Sequence, residues 1–346
     1  MLSHFERPAV PENYTEKVQT MMSRRSGRRD EKTEERLKKV LIIILAAVLL
    51  IIAAAAALLV YISKRPAVPE NYTEKVQTGG DIEAKYLAMG PRQVSYFESA
   101  CLNSFEKYEI YYPADIADGG PLPVVIFVNG TGVKGSKYPA LQKHMASWGF
   151  ITAATEEEYA WNGFSAEMCV RFLSMLNEYS PEDGENVFYG KIDLGRVGIT
   201  GHSQGGTGVI NAITAQRNAD IYKAAVILSS GGNKALSQAL LWDYDETKIS
   251  APVLMLASTG DADIGLVPAE DLRALYENIP DSTAKVMARR RDVGHGEMLY
   301  CCDGYVTAWF MWLLQGDGAA AGAFTGNDPE LMDNPLYLDQ DASFPA

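Results

Sequence analysis

Gly201-His202-Ser203-Gln204-Gly205 sets a serine between two glycines at G-x-S-x-G spacing. That spacing suits a hydroxyl nucleophile at the apex of a tight turn, where larger neighbours would collide with adjacent backbone. A serine hydroxyl is a weak nucleophile near neutral pH. It needs a base to take its proton, an acid to orient that base and N–H donors for the developing oxyanion. The chain offers four histidines as base: His4, His144, His202 and His295. His4 lies in the N-terminal tail, His202 adjoins the serine and faces away from it, and His144 precedes the serine in an expected helix over 139–148. Along the chain, a nucleophile on such a turn is followed by the acid and then by the histidine. His295 alone follows, in the polar loop Asp292-Val293-Gly294-His295-Gly296-Glu297, and it is the expected base.

The acid belongs between Ser203 and His295, just past a buried strand. The apolar run Pro252–Ala257 reads as that strand, and it leads into Ser258-Thr259-Gly260-Asp261-Ala262-Asp263. Asp261 is the expected acid because it falls at the first turn beyond the strand, within reach of an imidazole. Asp263 is the alternative, its other role being to cap the next helix or face solvent; Asp243 and Asp245 precede the strand. One oxyanion donor is the backbone N–H of Gln204, the residue after the nucleophile. The other is expected from the loop after an early strand, Pro123–Val128, which continues into Asn129-Gly130-Thr131-Gly132. The N–H of Thr131 is the second donor.

These groups need a scaffold that delivers strand ends to one rim. The runs Val124–Val128, Ile151–Ala154, Val197–Thr200, Ala224–Leu228, Val253–Ala257 and Ala284–Ala288 alternate with helical patterns. The alternation predicts an α/β fold, a mostly parallel sheet with helices on both faces. Val94–Glu98 and Tyr108–Tyr112 alternate in polarity and are expected as antiparallel edge strands, with Tyr305–Leu314 as the last helix. About two dozen residues separate the strand ending near Ser229 from that starting at Val253. They are too few for a large helical cap, so an open cleft is expected. Glu156, Glu157 and Glu158 either line its rim or form a solvated charge run.

The strand followed by Asn129-Gly130-Thr131, the segment Ala146-Ser147-Trp148-Gly149-Phe150, the elbow with its Gly205-Gly206 pair, Asp261 and His295 together carry a resemblance. Over Arg92–Gly316 the chain resembles the cutinase-like and polyester-hydrolase branch of the α/β-hydrolases, to which chlorophyllase-like, dienelactone-hydrolase-like and platelet-activating-factor-acetylhydrolase-like enzymes are related. The resemblance implies a serine carboxylic-ester hydrolase with Ser203 as nucleophile, His295 as base, Asp261 as orienting acid, and Thr131 and Gln204 as oxyanion donors. It implies no cofactor. A serine in place of the cysteine typical of dienelactone hydrolases argues against their substrate. Cutinase-like enzymes often place a tryptophan at the cleft rim, and Trp161 and Trp242 are the candidates for substrate binding. The alternatives are a lipase-like or acyl-transferring relative, and a catalytically silent binding module.

A second feature concerns location. Val40–Ile62 is free of charge for 23 residues, enough to cross a bilayer core of about 30 Å at about 1.5 Å per residue. It is expected to be a transmembrane signal-anchor helix, although a cleavable signal is its rival. Arg24, Arg25, Arg28, Arg29, Lys32, Arg36, Lys38 and Lys39 precede it, against Lys64 and Arg65 after it. The positive-inside rule then puts the N-terminus in the cytoplasm and the hydrolase outside the cell membrane. The expected organisation is a cytoplasmic basic tail (1–39), an anchor (40–62), a linker (63–82), the α/β-hydrolase domain (83–325) and an acidic C-terminal tail (326–346). The expected partners are an ester substrate and, through the anchor, the lipid bilayer. The formal net charge of −13 divides into +5 for residues 1–65 and −18 for residues 66–346, and an acidic domain repels nucleic acid. Arg7–Thr20 recurs unchanged as Arg65–Thr78. The first copy reads as a recent duplication or an artefact ahead of a native start at Met21 or Met22. The four cysteines, Cys101, Cys169, Cys301 and Cys302, are compatible with one or two disulfides, and no metal-ligand spacing is present.

Overall fold

The computed structural model describes residues 16–23, 38–50, 66–102, 105–180, 186–230 and 234–345. The chain divides into two units, Met1–Arg65 and Pro66–Ala346.

Pro66–Ala346 is built on a nine-stranded sheet: β1 (Val94–Ala100), β2 (Lys107–Pro113), β3 (Leu122–Val128), β4 (Ile151–Thr155), β5 (Ile192–His202), β6 (Tyr222–Leu228), β7 (Val253–Ser258), β8 (Lys285–Arg290) and β9 (Tyr337–Ser343). Their spatial order is β1-β2-β4-β3-β5-β6-β7-β8-β9. The six strands from β4 to β8 run parallel, while β1, β2 and β9 are antiparallel at the edges. The α/β expectation and the two antiparallel edge strands match this sheet.

Period-two alternation along the parallel strands divides the core between the two faces. Val124, Ile126, Ile199, Ala225, Ile227, Val253 and Met255 pack with the helices Phe164–Glu178, Gln204–Thr214 and Ala269–Asn278. Val125, Ala224, Val226, Leu254, Leu256 and Val286 pack with Asp303–Gln315, whose Tyr305, Trp309 and Phe310 are buried. Both faces are therefore dry, and the polar chemistry is pushed to the carboxyl ends of the strands.

Two boundaries differ from expectation. The segment expected as linker belongs to the fold from Pro66 onward: Val68 and Tyr72 are buried beside Leu87, Tyr138 and Leu141. Burying side chains of this size is worth about 1.5–3 kcal/mol each, so the stretch is held rather than slack. The acidic tail is equally integrated, because β9 pairs with β8 from Lys285↔Ser343 to Arg290↔Tyr337. Its Glu330 carboxylate accepts from the N–H groups of Ile82 and Glu83, at 2.6 and 2.8 Å, capping the helix Asp81–Leu87.

In the unit Met1–Arg65, residues 16–23 and 38–50 are helical and exposed. Most of the basic flank and residues 51–62 of the expected anchor lie outside the described residues, as does Arg7–Thr15 of the first repeat. Among the described residues no helix is long and apolar enough to cross a membrane. The cysteines are all free thiols.

Candidate active site

Ser203 stands between β5 and the helix Gln204–Thr214 with φ 56° and ψ −128°. A positive φ is costly for a residue with a side chain, and the close packing around the turn holds it there. A Cβ on Gly201 would lie 2.3 Å from the Gly205 carbonyl oxygen, and one on Gly205 would lie 2.1 Å from that of Val128. Only glycines allow strand, turn and helix to approach this closely. The Ser203 N–H donates to the Leu228 carbonyl at 2.9 Å, fastening the turn to the tip of β6.

His295 lies in the loop after β8, and its Nδ1 is 2.6 Å from Oδ1 of Asp263. Asp263, rather than the expected Asp261, is thus the partner of the imidazole. The chain leaves β7, turns at Thr259-Gly260 and enters the short helix Asp261–Leu266, placing residue 263 back over the strand end. Asp261 begins this helix, and its side chain lies outside the described residues. The second oxygen of Asp263 accepts from Ser229 Oγ at 2.5 Å and from the Ser258 N–H at 2.7 Å. Burial works against the charged carboxylate, but the hydrogen bonds from His295, Ser229 and Ser258 outweigh it, holding Asp263 below the usual aspartate range.

Ser203, His295, Thr131 and Gln204 line one cleft of about 250 Å³. Gln204 is the first residue of its helix, where a backbone N–H has no acceptor within the helix. Among the described residues the Thr131 N–H has no acceptor either. The loop carrying Thr131 is fixed from below: Asn129 Nδ2 donates to the carbonyls of Thr155 and Glu157 at 2.7 and 2.8 Å. Gly132 N–H donates to the Glu158 carbonyl at 2.9 Å. The run Glu156–Glu158 therefore serves largely through its main chain, and the buried Glu156 carboxylate accepts from Ser136 N–H and Oγ.

The remaining wall is apolar, formed by Leu236, Leu240, Trp242, Leu266 and Val267, with hydroxyls of Thr207, Ser229, Ser230 and Ser237 below. Of the two tryptophans, Trp242 lines the cleft. Trp161 does not, and its carbonyl instead accepts from Asn211 Nδ2 at 2.9 Å. Between β6 and β7 the described elements are the short helix Lys234–Ala239 and one helical turn, Glu246–Lys248, so among the described residues no large helical cap lies between these strands.

Two further histidines are held in structural contacts. His202 Nε2 donates to the His295 carbonyl at 2.7 Å, and the two rings lie 4.5 Å apart. Burial, aided by His295, pushes His202 down to about 4, so it remains a neutral donor that steadies the His295 loop. His144 is buried against Asp303, at 2.7 Å, which also accepts from the Tyr72 hydroxyl. Burial favours neutral His144, but the Asp303 carboxylate prevails and raises its pKa. The residue missed in the sequence was Ser229, whose hydroxyl reaches Asp263 from the tip of β6. Among the described residues there is no cluster of histidine, cysteine or carboxylate groups suited to a metal ion.

A family profile described as PET hydrolase-like matches residues 71–300. A bis(hydroxyethyl) terephthalate hydrolase from Streptomyces coelicolor is 26% identical over 200 residues, a match spanning 57% of each chain.

Proposed function

This chain belongs to the PET hydrolase-like family of α/β-hydrolases, a group of ester-hydrolysing serine hydrolases, and we propose that it cleaves short aromatic or hydroxyalkyl carboxylic esters through an acyl-enzyme. The observation that carries this reading is the Asp263–His295 pair facing a cleft that also contains the strained Ser203. Ser203 Oγ attacks the ester carbonyl while His295 Nε2 takes its proton, and Asp263 stabilises the resulting imidazolium. The oxyanion lies between the N–H groups of Thr131 and Gln204. Collapse expels the alcohol, which receives the proton from His295. Water then attacks the acyl-enzyme by the same route, freeing the acid and restoring Ser203.

The cleft supports a small planar substrate, because Trp242 and the leucines are apolar while Thr207, Ser230 and Ser237 add hydroxyls to its lining. The test is hydrolysis of bis(hydroxyethyl) terephthalate and of p-nitrophenyl esters from acetate to palmitate, by the parent and by Ser203→Ala. The parent should turn over short esters best, and the variant should lose about a thousandfold or more. A folded parent as inert as Ser203→Ala across the series would refute an esterase. Preference for long chains, with Leu236, Leu240 and Leu266 exposed along the cleft, would instead favour a lipase-like relative.

We also place the enzyme outside the cell membrane, tethered by Val40–Ile62. The support is the uncharged run and its basic N-terminal flank. The full chain should sediment with membranes, resist extraction by high salt and, in intact cells, expose Pro66–Ala346 to added protease. Recovery of the full-length chain in the soluble fraction would overturn this assignment.

A further inference from the structure

The tip of β6 touches both halves of the catalytic machinery. The Leu228 carbonyl accepts the N–H of Ser203, and the next residue, Ser229, donates its hydroxyl to Asp263 at 2.5 Å. Ser229 is buried and adopts φ 45°, a conformation that a residue with a side chain enters at a cost. Its own N–H is tied to the Leu256 carbonyl at 2.7 Å, so the twist is clamped between β6 and β7. Glycine would adopt this backbone without strain. A serine here spends stability and supplies one thing glycine lacks: a hydroxyl aimed at the catalytic acid.

A second serine completes the brace. Ser258 N–H holds the same oxygen of Asp263 at 2.7 Å, and Ser258 Oγ donates to the Val293 carbonyl in the loop that presents His295. The Gly260 N–H in turn donates to Ser258 Oγ at 2.8 Å. Oδ2 of Asp263 is thus fully engaged by two donors from two strand ends, leaving Oδ1 for His295. A carboxylate held by one donor fewer can swing about its χ2 bond, and the imidazole loses its fixed direction toward Ser203.

Resting on the serine-hydrolase reading above, we propose that Ser229 is a positioning residue: its strained backbone serves to point a hydroxyl at Asp263, coupling the acid to the nucleophile turn through the tip of β6. Although Ser229 borders the cleft, its hydroxyl is committed to Asp263, so it acts on the transition state through His295. Its removal should lower kcat and leave KM nearly unchanged.

Four proteins separate this from a packing role: the parent, Ser229→Ala, Ser229→Gly and Ser229→Thr. Each is followed by thermal unfolding, by ester hydrolysis, and by the rate at which a fluorophosphonate labels Ser203. Labelling forms the Oγ–P bond, breaks P–F and passes the serine proton to His295 as fluoride leaves, so it reports the triad without a matched substrate. Ser229→Ala and Ser229→Gly should lose about 10- to 30-fold in both kcat and labelling rate, the scale of one hydrogen bond to a charged group. Ser229→Gly should unfold at or above the parent temperature, because the strain is relieved. Ser229→Thr keeps the hydroxyl on a more strained backbone, and should unfold earlier yet label within about threefold of the parent. Stability and rate then move in opposite directions in the glycine and threonine variants. If rates track unfolding temperature across the set, or if alanine and glycine variants label like the parent, Ser229 is only a packing residue. If the parent itself does not label, the serine-hydrolase reading fails, and this inference falls with it.

Discussion

Replacing Asp263 with asparagine should reduce kcat by about 10⁴-fold, the loss seen when the orienting acid of a serine–histidine pair becomes an amide. The reason is local to Asp263. Its carboxylate accepts from three donors, His295 Nδ1, Ser229 Oγ and the Ser258 N–H. An amide at 263 would have to turn its own N–H groups toward at least one of these donors, and His295 would be driven to the wrong tautomer. KM should change little, because the side chain lies beneath the cleft and is fully buried. The companion measurement is Asp261→Asn, which should retain activity within about threefold, because His295 Nδ1 already has Asp263 as its partner. Steady-state kinetics on one p-nitrophenyl ester decides between them. A severe loss in Asp261→Asn, with Asp263→Asn close to the parent, would return the catalytic acid to position 261.

Deleting 326–346 should abolish folding of the domain rather than trim a loose tail. Glu83 is buried at the junction of three distant segments. Its carboxylate accepts from Gly79 N–H at 2.7 Å, Asn334 Nδ2 at 2.8 Å and Tyr337 Oη at 2.9 Å, and faces Arg290 at 3.4 Å. Truncation removes two of these partners. It also removes the Glu330 cap on Asp81–Leu87 and the strand that covers the edge of β8. An unpaired edge next to a buried ion pair is a route to aggregation. A milder probe is Glu83→Ala, which leaves Arg290 buried without its carboxylate and should cost about 3–5 kcal/mol. Against a typical total of about 5–15 kcal/mol, that lowers the urea midpoint substantially. A truncated domain that melts and turns over like the parent would show that β9 is dispensable.

The difference between legible and illegible features follows from range. The turn at Ser203 could be read from the chain because the elbow is a local device: two glycines, a strand before and a helix after dictate it within a dozen residues. The parallel strands were equally local, since buried strands of this kind are continuous apolar runs. Asp261 and Asp263 differ by only two positions, and both follow the strand end. Their roles separate only when the helix Asp261–Leu266 sets its phase and carries residue 263 back to His295. Trp161 and Trp242 were likewise indistinguishable until the fold set Trp242, and not Trp161, along the cleft wall.

The repeated segment gives the plainest contrast. Glu-Lys-Val-Gln-Thr is helical at 16–20, yet at 74–78 the same residues leave a single helical turn for turn and extended backbone. In the second copy Tyr72 is drawn into the core to meet Asp303, and Arg290 binds the Gln77 carbonyl at 2.5 Å. By itself the sequence determined what depends on neighbours along the chain: the strand–turn–helix around Ser203, the strand runs and the class of sheet. Tertiary structure alone decided which aspartate holds the imidazole, which tryptophan walls the cleft, and that a linker and a tail are parts of the fold. Each of those turns on contacts between residues tens to hundreds of positions apart, whose free energies exist only once the sheet has brought them together.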